Sequence, residues 1–446
     1  MTTAGEKYKV NPELFRRHLQ YKAFTLGSRE LYLSSSMPSS SAHVFQLTIP
    51  TICTRNVGSS GWEPEDLQEE RQNESEGMGR YFKQLRAKAK VGDSVVRNSL
   101  LLSRQEYGLE QKISIEVGPP RDNWRIVVWL DSGRDLSQSV EGPWSPRPGA
   151  RAWETYFFPV IVQQAPDISR PHLDAVSSLH PNTFTSSRSI RSHASNDYSA
   201  EEWKAAQNIG YLPFQYGSRL DRELASHDAL YALSELFQFV ASAESQFLNL
   251  LAARIEHELS FIGGDNVMRY HHVSLLNLKF IKTQLTAHAQ GLNETITILR
   301  NRHSLDWPRA DHLEKYPIVE HTAVLLLADF EYLLHRAQTL ARECETGMST
   351  LANSAVLEES RRSHQTALQV QKLTVIATIF IPLSFVCSIW GMNFVELGTG
   401  SQPLWKWFVS AAPVLLFSWV AYRWDELMRL RKRIMSKGRG NPSGLV

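Results

Sequence analysis

Two long apolar segments near the C-terminus most constrain what this chain can fold into. LTVIATIFIPLSFVCSIW (373–390) contains 18 residues without a charge, and LWKWFVSAAPVLLFSWVAY (404–422) contains 19 with one lysine. Each segment is close to the ~20 residues that a helix needs to cross a bilayer. Aromatic residues cluster at both ends of the pair, as in two interfacial belts: Trp390, Trp405 and Trp407 at one end, and Trp419, Tyr422 and Trp424 at the other. The pattern therefore favours a transmembrane hairpin over two buried core helices.

Charges around the hairpin predict its orientation. The connection GMNFVELGTGSQP carries one acidic residue, Glu396, and no Lys or Arg. The segment after Tyr422 is basic: Arg423, Arg429, Arg431, Lys432, Arg433, Lys437 and Arg439. Because Lys and Arg accumulate in cytoplasmic segments, both termini are predicted to be cytoplasmic and the connection external. We interpret the basic tail as a topology anchor beside anionic lipid, with no role in nucleic-acid binding.

The region from about residue 220 is typical of long helices. Residues 230–262 have apolar side chains at three-to-four spacing, and Gly263-Gly264 is suited to end that helix. Asp265 is suited to cap a second helix, which is predicted to reach about Arg302. We therefore expect an antiparallel pair of helices in this part of the chain.

A third helix is predicted to begin near Pro317, since proline is favoured in a first helical turn. No proline follows until Pro382, so the helix can continue into the first apolar segment. Its apolar seam recurs at heptad spacing, as in helices packed lengthwise in a bundle or an oligomer: Ala323, Leu326, Phe330, Leu333, Ala337, Leu340 and Cys344.

The first 200 residues predict a mixed α/β domain. Segments rich in β-branched and aromatic residues, bounded by Gly, Pro and Asp, predict strands at 43–50, 93–103, 112–117, 124–130 and 155–164. Segments 34–42, 62–80 and 182–199 are polar or highly charged and are predicted to be mobile insertions or linkers. The predicted division is thus a cytoplasmic domain with disordered insertions (1–200), a cytoplasmic helical stalk (201–372), the transmembrane hairpin (373–424) and the basic tail (425–446).

One stripe of the first apolar segment could line a pore. Its members fall on one helical face and carry no charge: Val370, Leu373, Ala377, Ile381, Ser384 and Ser388. A charge-free stripe cannot coordinate a bare divalent ion, but several copies around an axis could enclose a narrow path. Asn393 would then form a ring of amide oxygens able to hold Mg²⁺ through its hydration waters, which that ion gives up reluctantly. The apolar members could act as a dewetting gate.

The residues LTVIATIFIPLSFVCSIWGMNF, followed by PLWKW and a second span, closely resemble the CorA family of divalent-cation transporters, which carry two spans and a Gly-x-Asn motif. The resemblance implies a homopentameric channel in the lipid bilayer, with the long helix continuing from a cytoplasmic funnel into the pore. It implies an outer selectivity ring at Gly391, Met392 and Asn393, and a polar ring at Ser384. It also implies an apolar constriction at Ile381, Leu373 and Val370. The outer mouth departs from the family pattern, because only Glu396 supplies an acidic side chain there.

The expected function is Mg²⁺ uptake driven by membrane potential, with no cofactor and no enzymatic step. Zn²⁺, Co²⁺ or Ni²⁺ as cargo of the same fold remains an alternative, since the Gly-Met-Asn motif does not separate these ions. A membrane-anchored scaffold or sensor without transport is a second alternative, which the long polar insertions would suit. The fifteen histidines, including the His271-His272 pair, stand in no hydrolase motif. With no evident presequence, the plasma membrane is favoured over the vacuolar or mitochondrial membrane.

Overall fold

The computed structural model describes residues 9–20, 42–55, 66–90, 92–119, 124–136, 138–144, 155–162, 209–210, 212, 216–260, 267–391, 395, 401 and 403–423. The chain forms two compact units, Met1–Ala352 and Asn353–Val446, which divide within one helix. The predicted linker 182–199 and the basic tail 425–446 lie outside the described residues. The four-part division at residues 200, 372 and 424 stays a prediction.

The first unit is built on an antiparallel sheet of β1 (Val44–Arg55), β2 (Asn98–Leu101), β3 (Glu106–Val117), β4 (Ile126–Leu130) and β5 (Thr155–Phe157). The strand order is β2-β3-β1-β5, and β4 pairs with the C-terminal half of β3. The central pairing runs from Val44 opposite Glu116 to Thr54 opposite Glu106. The mixed α/β character predicted for this part of the chain is confirmed.

All five strand predictions have different bounds in the structure. The predicted strand 112–117 begins earlier, at Glu106, the strand 124–130 begins at Ile126, and the strand 155–164 ends at Phe157. The first strand was predicted to end at Pro50, yet β1 continues to Arg55. Proline is tolerated within β1 because β5 pairs only with Cys53–Arg55, so β1 has β3 as its one strand neighbour at Pro50 among the described residues. The segment 93–103 was predicted as one strand, but only Asn98–Leu101 pairs with β3, and residues 93–97 form an irregular approach to it.

The predicted mobile insertion at 62–80 is wrong from Asp66 onwards, because a 23-residue helix, α2 (Asp66–Lys88), occupies it. Its composition is polar overall, but one face buries apolar side chains that include Leu67, Tyr81 and Leu85. These pack with Cys53, Tyr107 and other side chains of the sheet in a separate core cluster. Composition alone misses this helix, since only six of its 23 residues are buried.

A short N-terminal helix, α1 (Pro12–His18), also packs on the sheet. The side-chain oxygen of Asn11 accepts a hydrogen bond from the backbone N–H of Glu13 at 2.8 Å and caps the helix. His18 is buried and lies 2.9 Å from the hydroxyl of Ser114 on β3. Leu14 is buried as well, so one side of this short helix packs into the first unit.

Three long helices cover the other part of the sheet: α4 (Ala229–Ser260), which follows the short α3 (Arg222–His227), α5 (Val267–Arg300) and α6 (Tyr316–Trp390). A single 3₁₀ turn, Asn301–His303, follows α5. Aromatic rings link the layers: Phe45 of β1 stacks on Phe237 of α4 at 6.1 Å, and Phe237 meets Phe330 of α6 edge-on at 6.1 Å. These contacts lie in the main hydrophobic core, which joins the sheet to α4, α5 and α6.

The heptad seam predicted in the third helix is confirmed. All seven positions are buried: Ala323, Leu326, Phe330, Leu333, Ala337, Leu340 and Cys344. Leu351 is the last buried residue of α6 within the first unit. Burying apolar side chains at this spacing along 22 residues explains why α6 packs lengthwise here.

Candidate functional site

The second unit contains the C-terminal part of α6 and the last helix, α7 (Trp405–Tyr422). Among the described residues, one helix is long and apolar enough to cross a membrane by length and composition, and it is α6. The apolar part of α7 is shorter, Trp405–Val420. Both predicted apolar segments are therefore helical, and the crossing of a membrane by α7 stays a prediction.

In the described part of the hairpin, a hydrogen bond and two buried side chains mark where the two helices meet. The indole N–H of Trp390 donates to the hydroxyl of Ser410 at 2.9 Å. Val386, one turn before Trp390, is 3% exposed, and Ala411, next to Ser410, is 4% exposed. They are the buried side chains of this unit among the described residues, so they mark the face on which α6 and α7 pack. The sequence did not identify Ser410 or Ala411, because a lone small residue in an apolar helix carries no distinctive signal.

The predicted pore-lining stripe lies on the opposite side of α6. Ser384 and Ser388 are each two residues from Val386, which places them roughly 160° around the helix from the contact with α7. Leu373 is 72% exposed, Ile381 67% and Val370 59%. Ser384 and Ser388 are also exposed, and Ala377 is half-buried. The whole stripe is thus unoccupied by α7 and available to face other molecules.

Hydroxyl groups on α6 are bonded to their own helix. Thr374 donates to the carbonyl oxygen of Val370 and Thr378 to that of Thr374, each at 2.8 Å. The hydroxyl of Ser384 donates to the carbonyl oxygen of Ile381 at 2.8 Å. In each of these hydrogen bonds the hydroxyl donates its one proton, but the lone pairs of its oxygen can still accept hydrogen bonds. The Ser384 oxygen is therefore an available acceptor on the exposed face of α6.

Gly391 ends α6 in a left-handed conformation, with φ at +51°. A methyl group added at Gly391 would meet no atom within 4 Å, so backbone conformation rather than space requires glycine here. This is a capping role that the motif alone does not reveal. Met392, Asn393 and Glu396, the other residues predicted for the outer ring and mouth, lie outside the described residues.

Aromatic side chains occupy both ends of α7. Trp405 is exposed, and the rings of Trp407 and Phe408 meet edge-on at 5.0 Å. At the other end, the guanidinium of Arg423 lies over the ring of Trp419 at 5.9 Å. This arrangement fits the predicted interfacial belts, where aromatic rings and basic side chains meet the headgroups.

No group of three or more His, Cys, Asp or Glu able to hold a metal ion occurs in the described part of the chain. Uncharged oxygen donors suit a hydrated hard cation better than a dehydrated transition metal.

Comparison with known proteins shows which family these helices resemble. Residues 218–424 match the family described as CorA-like Mg²⁺ transporter protein. The cobalt/magnesium transport protein CorA of Thermotoga maritima is 30% identical over 109 residues, which cover 23% of this chain and 28% of that protein. The CorA magnesium transporter of Methanocaldococcus jannaschii aligns with 84% of this chain and 97% of its own, at 12% identity and a TM-score of 0.28.

The curated relative from Thermotoga maritima is thus matched over 28% of its length. The family match extends from the start of the helical region, before α3, to the residue after Arg423, and so includes the whole α6–α7 hairpin. It covers the Gly-Met-Asn sequence at 391–393 and the complete candidate pore stripe. Residues 218–424 of this chain, somewhat less than half of its length, are therefore similar to the CorA family across both helices of the hairpin.

Proposed function

We propose that this protein is a divalent-cation transporter in which copies of α6 surround a common pore. The observation that carries the proposal is the exposed, charge-free stripe of α6 on the side opposite Trp390 and Val386, leading up to Gly391. A single helix cannot enclose an ion path, so several copies are required. Five copies, as the family resemblance implies, would bring this stripe to the axis and leave α7 on the lipid side. The assembly would span the bilayer with two helices from each copy.

The proposed cargo is hydrated Mg²⁺. A ring of Asn393 amide oxygens would hold the ion through its first-shell waters at the outer mouth, since Mg²⁺ dehydrates reluctantly. The Ser384 oxygen would offer further contacts to water within the pore. Ile381, Leu373 and Val370 would form an apolar constriction that opens or closes by wetting. The membrane potential would supply the driving force, worth roughly 4.6 kcal/mol for a divalent ion crossing 100 mV, as twice the single-charge value.

Support for this cargo comes from the descriptions of the similar proteins, which name magnesium and, in one case, cobalt. Zn²⁺, Co²⁺ and Ni²⁺ are therefore the competitors to test. No cofactor and no covalent step enter the proposed mechanism. In the proposed topology the first unit and both termini lie in the cytoplasm, which the charge distribution around the hairpin supports, and the plasma membrane is the favoured membrane.

Uptake of Mg²⁺ into proteoliposomes tests the proposal. A potassium diffusion potential would drive uptake, and an internal fluorescent indicator would report it, with Zn²⁺, Co²⁺ and Ni²⁺ as competitors. Wild type is expected to take up Mg²⁺, and Asn393→Ala to lose most of that flux because the outer ring is removed. Ser401→Ala, in the same connection but outside the motif, is the matched control and should leave uptake unchanged.

Two outcomes would contradict parts of this proposal. Equal uptake by wild type and Asn393→Ala would remove the asparagine ring from the mechanism. Absence of flux for all four ions from correctly folded, reconstituted wild type would favour a membrane-anchored scaffold or sensor instead.

A further inference from the structure

A cavity of about 640 Å³ lies in the first unit, where four parts of the chain meet. It is lined by the start of α1, the residues that precede β1, the end of β3 and the connection between α5 and α6. Most of its wall is apolar, with side chains that include Val10, Val117 and Leu305. Its volume falls within the range of about 300–1,000 Å³ that is typical of small-molecule sites. The proposed transport mechanism makes no use of this cavity.

Glu116 brings a buried carboxylate to the cavity. The residue is 6% exposed, and its Oε2 accepts a hydrogen bond from the backbone N–H of Asn11 at 2.9 Å. No basic side chain in the described part of the chain forms an ion pair with it. Asp306 lines the same cavity but is exposed, so water can hydrate its carboxylate. Burying a carboxylate without a cation is costly, and a positively charged ligand would offset that cost at Glu116.

The neighbouring imidazole of His43 does not supply the missing charge. The amide oxygen of Asn11 accepts a hydrogen bond from the backbone N–H of Glu13 at 2.8 Å, which directs the amide nitrogen to Nε2 of His43, at 2.7 Å. Because an amide NH₂ group can only donate, Nε2 of His43 accepts this hydrogen bond and carries no proton. His43 therefore leaves the charge of Glu116 unbalanced.

Two donors at the cavity are also unpaired. Trp307 is 5% exposed, and its indole N–H is buried without a hydrogen-bond acceptor among the described residues. Its ring stacks on Phe45 at 5.8 Å, which fixes its position. Lys9 is exposed and forms no ion pair within the described ranges, while its carbonyl oxygen accepts a hydrogen bond from Arg125 at 3.1 Å. The cavity thus combines an unpaired carboxylate with two unpaired donors, one of them positively charged.

We propose that this cavity binds a free amino acid with a large apolar side chain. The ammonium group of the ligand pairs with Glu116, its carboxylate accepts hydrogen bonds from Trp307 and Lys9, and its side chain contacts the apolar wall. A zwitterion is the chemical class that satisfies unpaired groups of both signs, through charge-assisted hydrogen bonds that are stronger than neutral ones. The inference does not depend on transport, since the cavity lies wholly within the first unit.

Isothermal titration calorimetry of the purified full chain in detergent tests this inference. L-Phenylalanine is the probe, and it is compared with phenethylamine, which lacks the carboxylate, and with hydrocinnamate, which lacks the ammonium group. Wild type is expected to bind L-phenylalanine most tightly and phenethylamine more weakly. Hydrocinnamate should not bind, because it leaves Glu116 without a cation and adds a second negative charge beside it.

Variants separate the two ends of the ligand. Glu116→Gln should weaken binding of both L-phenylalanine and phenethylamine by about tenfold, the effect of losing one charge-assisted hydrogen bond. Glutamine can still accept the hydrogen bond from Asn11, so the local fold is retained. Lys9→Gln should weaken L-phenylalanine alone, because phenethylamine has no carboxylate. Glu314→Gln is the matched control and should bind like wild type, since that exposed carboxylate lies in the same connection but outside the cavity.

Absence of L-phenylalanine binding to wild type at millimolar concentration would overturn the proposal, as would equal binding of hydrocinnamate. Unchanged affinity in a folded Glu116→Gln would show that this carboxylate does not hold the ammonium group. If Glu116→Gln did not fold, Lys9→Gln would decide, because its side chain is exposed: an unchanged preference for L-phenylalanine over phenethylamine would contradict the assigned carboxylate contact. Failure of Mg²⁺ uptake would contradict the proposed function and leave this binding result standing.

Discussion

Gly391, the first residue of the Gly-Met-Asn motif, has a structural role at the end of α6. Its φ of +51° places it in the left-handed region, where a side chain costs about 1 kcal/mol or more. Gly291 provides a contrast within the same chain, because it lies inside α5 with ordinary helical geometry. Neither glycine has an atom within 4 Å of an added methyl group. Only the backbone conformation therefore distinguishes the two positions.

Replacing these two glycines should shift stability in opposite directions. Gly391→Ala is expected to lower the free energy of unfolding by about 1 kcal/mol, because alanine strains the left-handed cap. Gly291→Ala is expected to raise it by about 0.5–1 kcal/mol, because alanine is the better helix former. Thermal unfolding of the purified full chain in detergent, followed by circular dichroism, checks both. Equal effects of the two substitutions would show that Gly391 is not held by its backbone conformation.

At the scale of elements, a buried charge cluster ties the sheet to the helices. His288 of α5 lies 2.8 Å from a carboxylate oxygen of Glu244 on α4 and 3.0 Å from one of Glu110 on β3, through its two ring nitrogens. Each nitrogen needs a proton to donate to a carboxylate, so the imidazole must be charged. Burial opposes that charge, but Glu244 and Glu110 outweigh it and raise the pKa of His288 well above its usual value.

The pKa directions define the pH range over which the cluster holds. A raised histidine pKa contributes stability that is fully present below about 6.5, the unfolded value, and is lost as pH rises through the folded value. Burial raises the pKa of Glu110, but the hydrogen bond and charge of His288 outweigh it and give a net lowered pKa. Its contribution is therefore present above about 4.3 and lost as pH falls through the folded value. The cluster is complete at neutral pH.

Removing the imidazole charge should destabilise the protein most at neutral pH. His288→Gln leaves two buried carboxylates without a cation, and we expect a loss of about 3–5 kcal/mol. The loss should shrink towards about pH 5, because one carboxylate can then bind a proton. Adding Glu244→Gln to His288→Gln should recover part of the stability at pH 7. Chemical unfolding from pH 5 to 8 measures these changes in the free energy of unfolding. If the loss were constant with pH and unchanged in the double variant, an unbalanced buried charge could not be its cause.

The same elements show which parts of the structure sequence patterns can predict. The heptad seam of α6 was predictable because each of its residues repeats a local spacing, and the apolar run 373–390 because it is contiguous. The cluster of Glu110, Glu244 and His288 was not, since its members are separated by up to 178 residues and each resembles a surface residue. Helix α2 was missed for a related reason, because its polar composition conceals one buried face. Whether such a side chain is buried depends on residues far away in the sequence, and a local sequence pattern does not contain them.

For the whole molecule, the orientation in the membrane that the charges predict can be tested by accessibility. The predicted external connection contains Ser401, which is exposed. The first unit, predicted to be cytoplasmic, contains Asn73 on α2 and Asn293 on α5, both exposed and both in N-glycosylation sequons. Because these asparagines are exposed in the fold, burial would not explain a lack of labelling or of an attached glycan. Labelling and glycosylation at these positions should therefore show on which side of the membrane the first unit lies.

Labelling with a membrane-impermeant maleimide in intact cells distinguishes the two orientations. In a Cys387→Ser background, Ser401→Cys is expected to react from outside, because the connection lacks basic residues and faces outwards. Asn293→Cys should react only after the cells are permeabilised, since the first unit lies inside, and native Asn73 and Asn293 should carry no glycan. Labelling of Asn293→Cys in intact cells, with Ser401→Cys protected, would reverse the topology. The proposed Asn393 ring would then face the cytoplasm, on the side opposite to the one from which Mg²⁺ enters along the membrane potential.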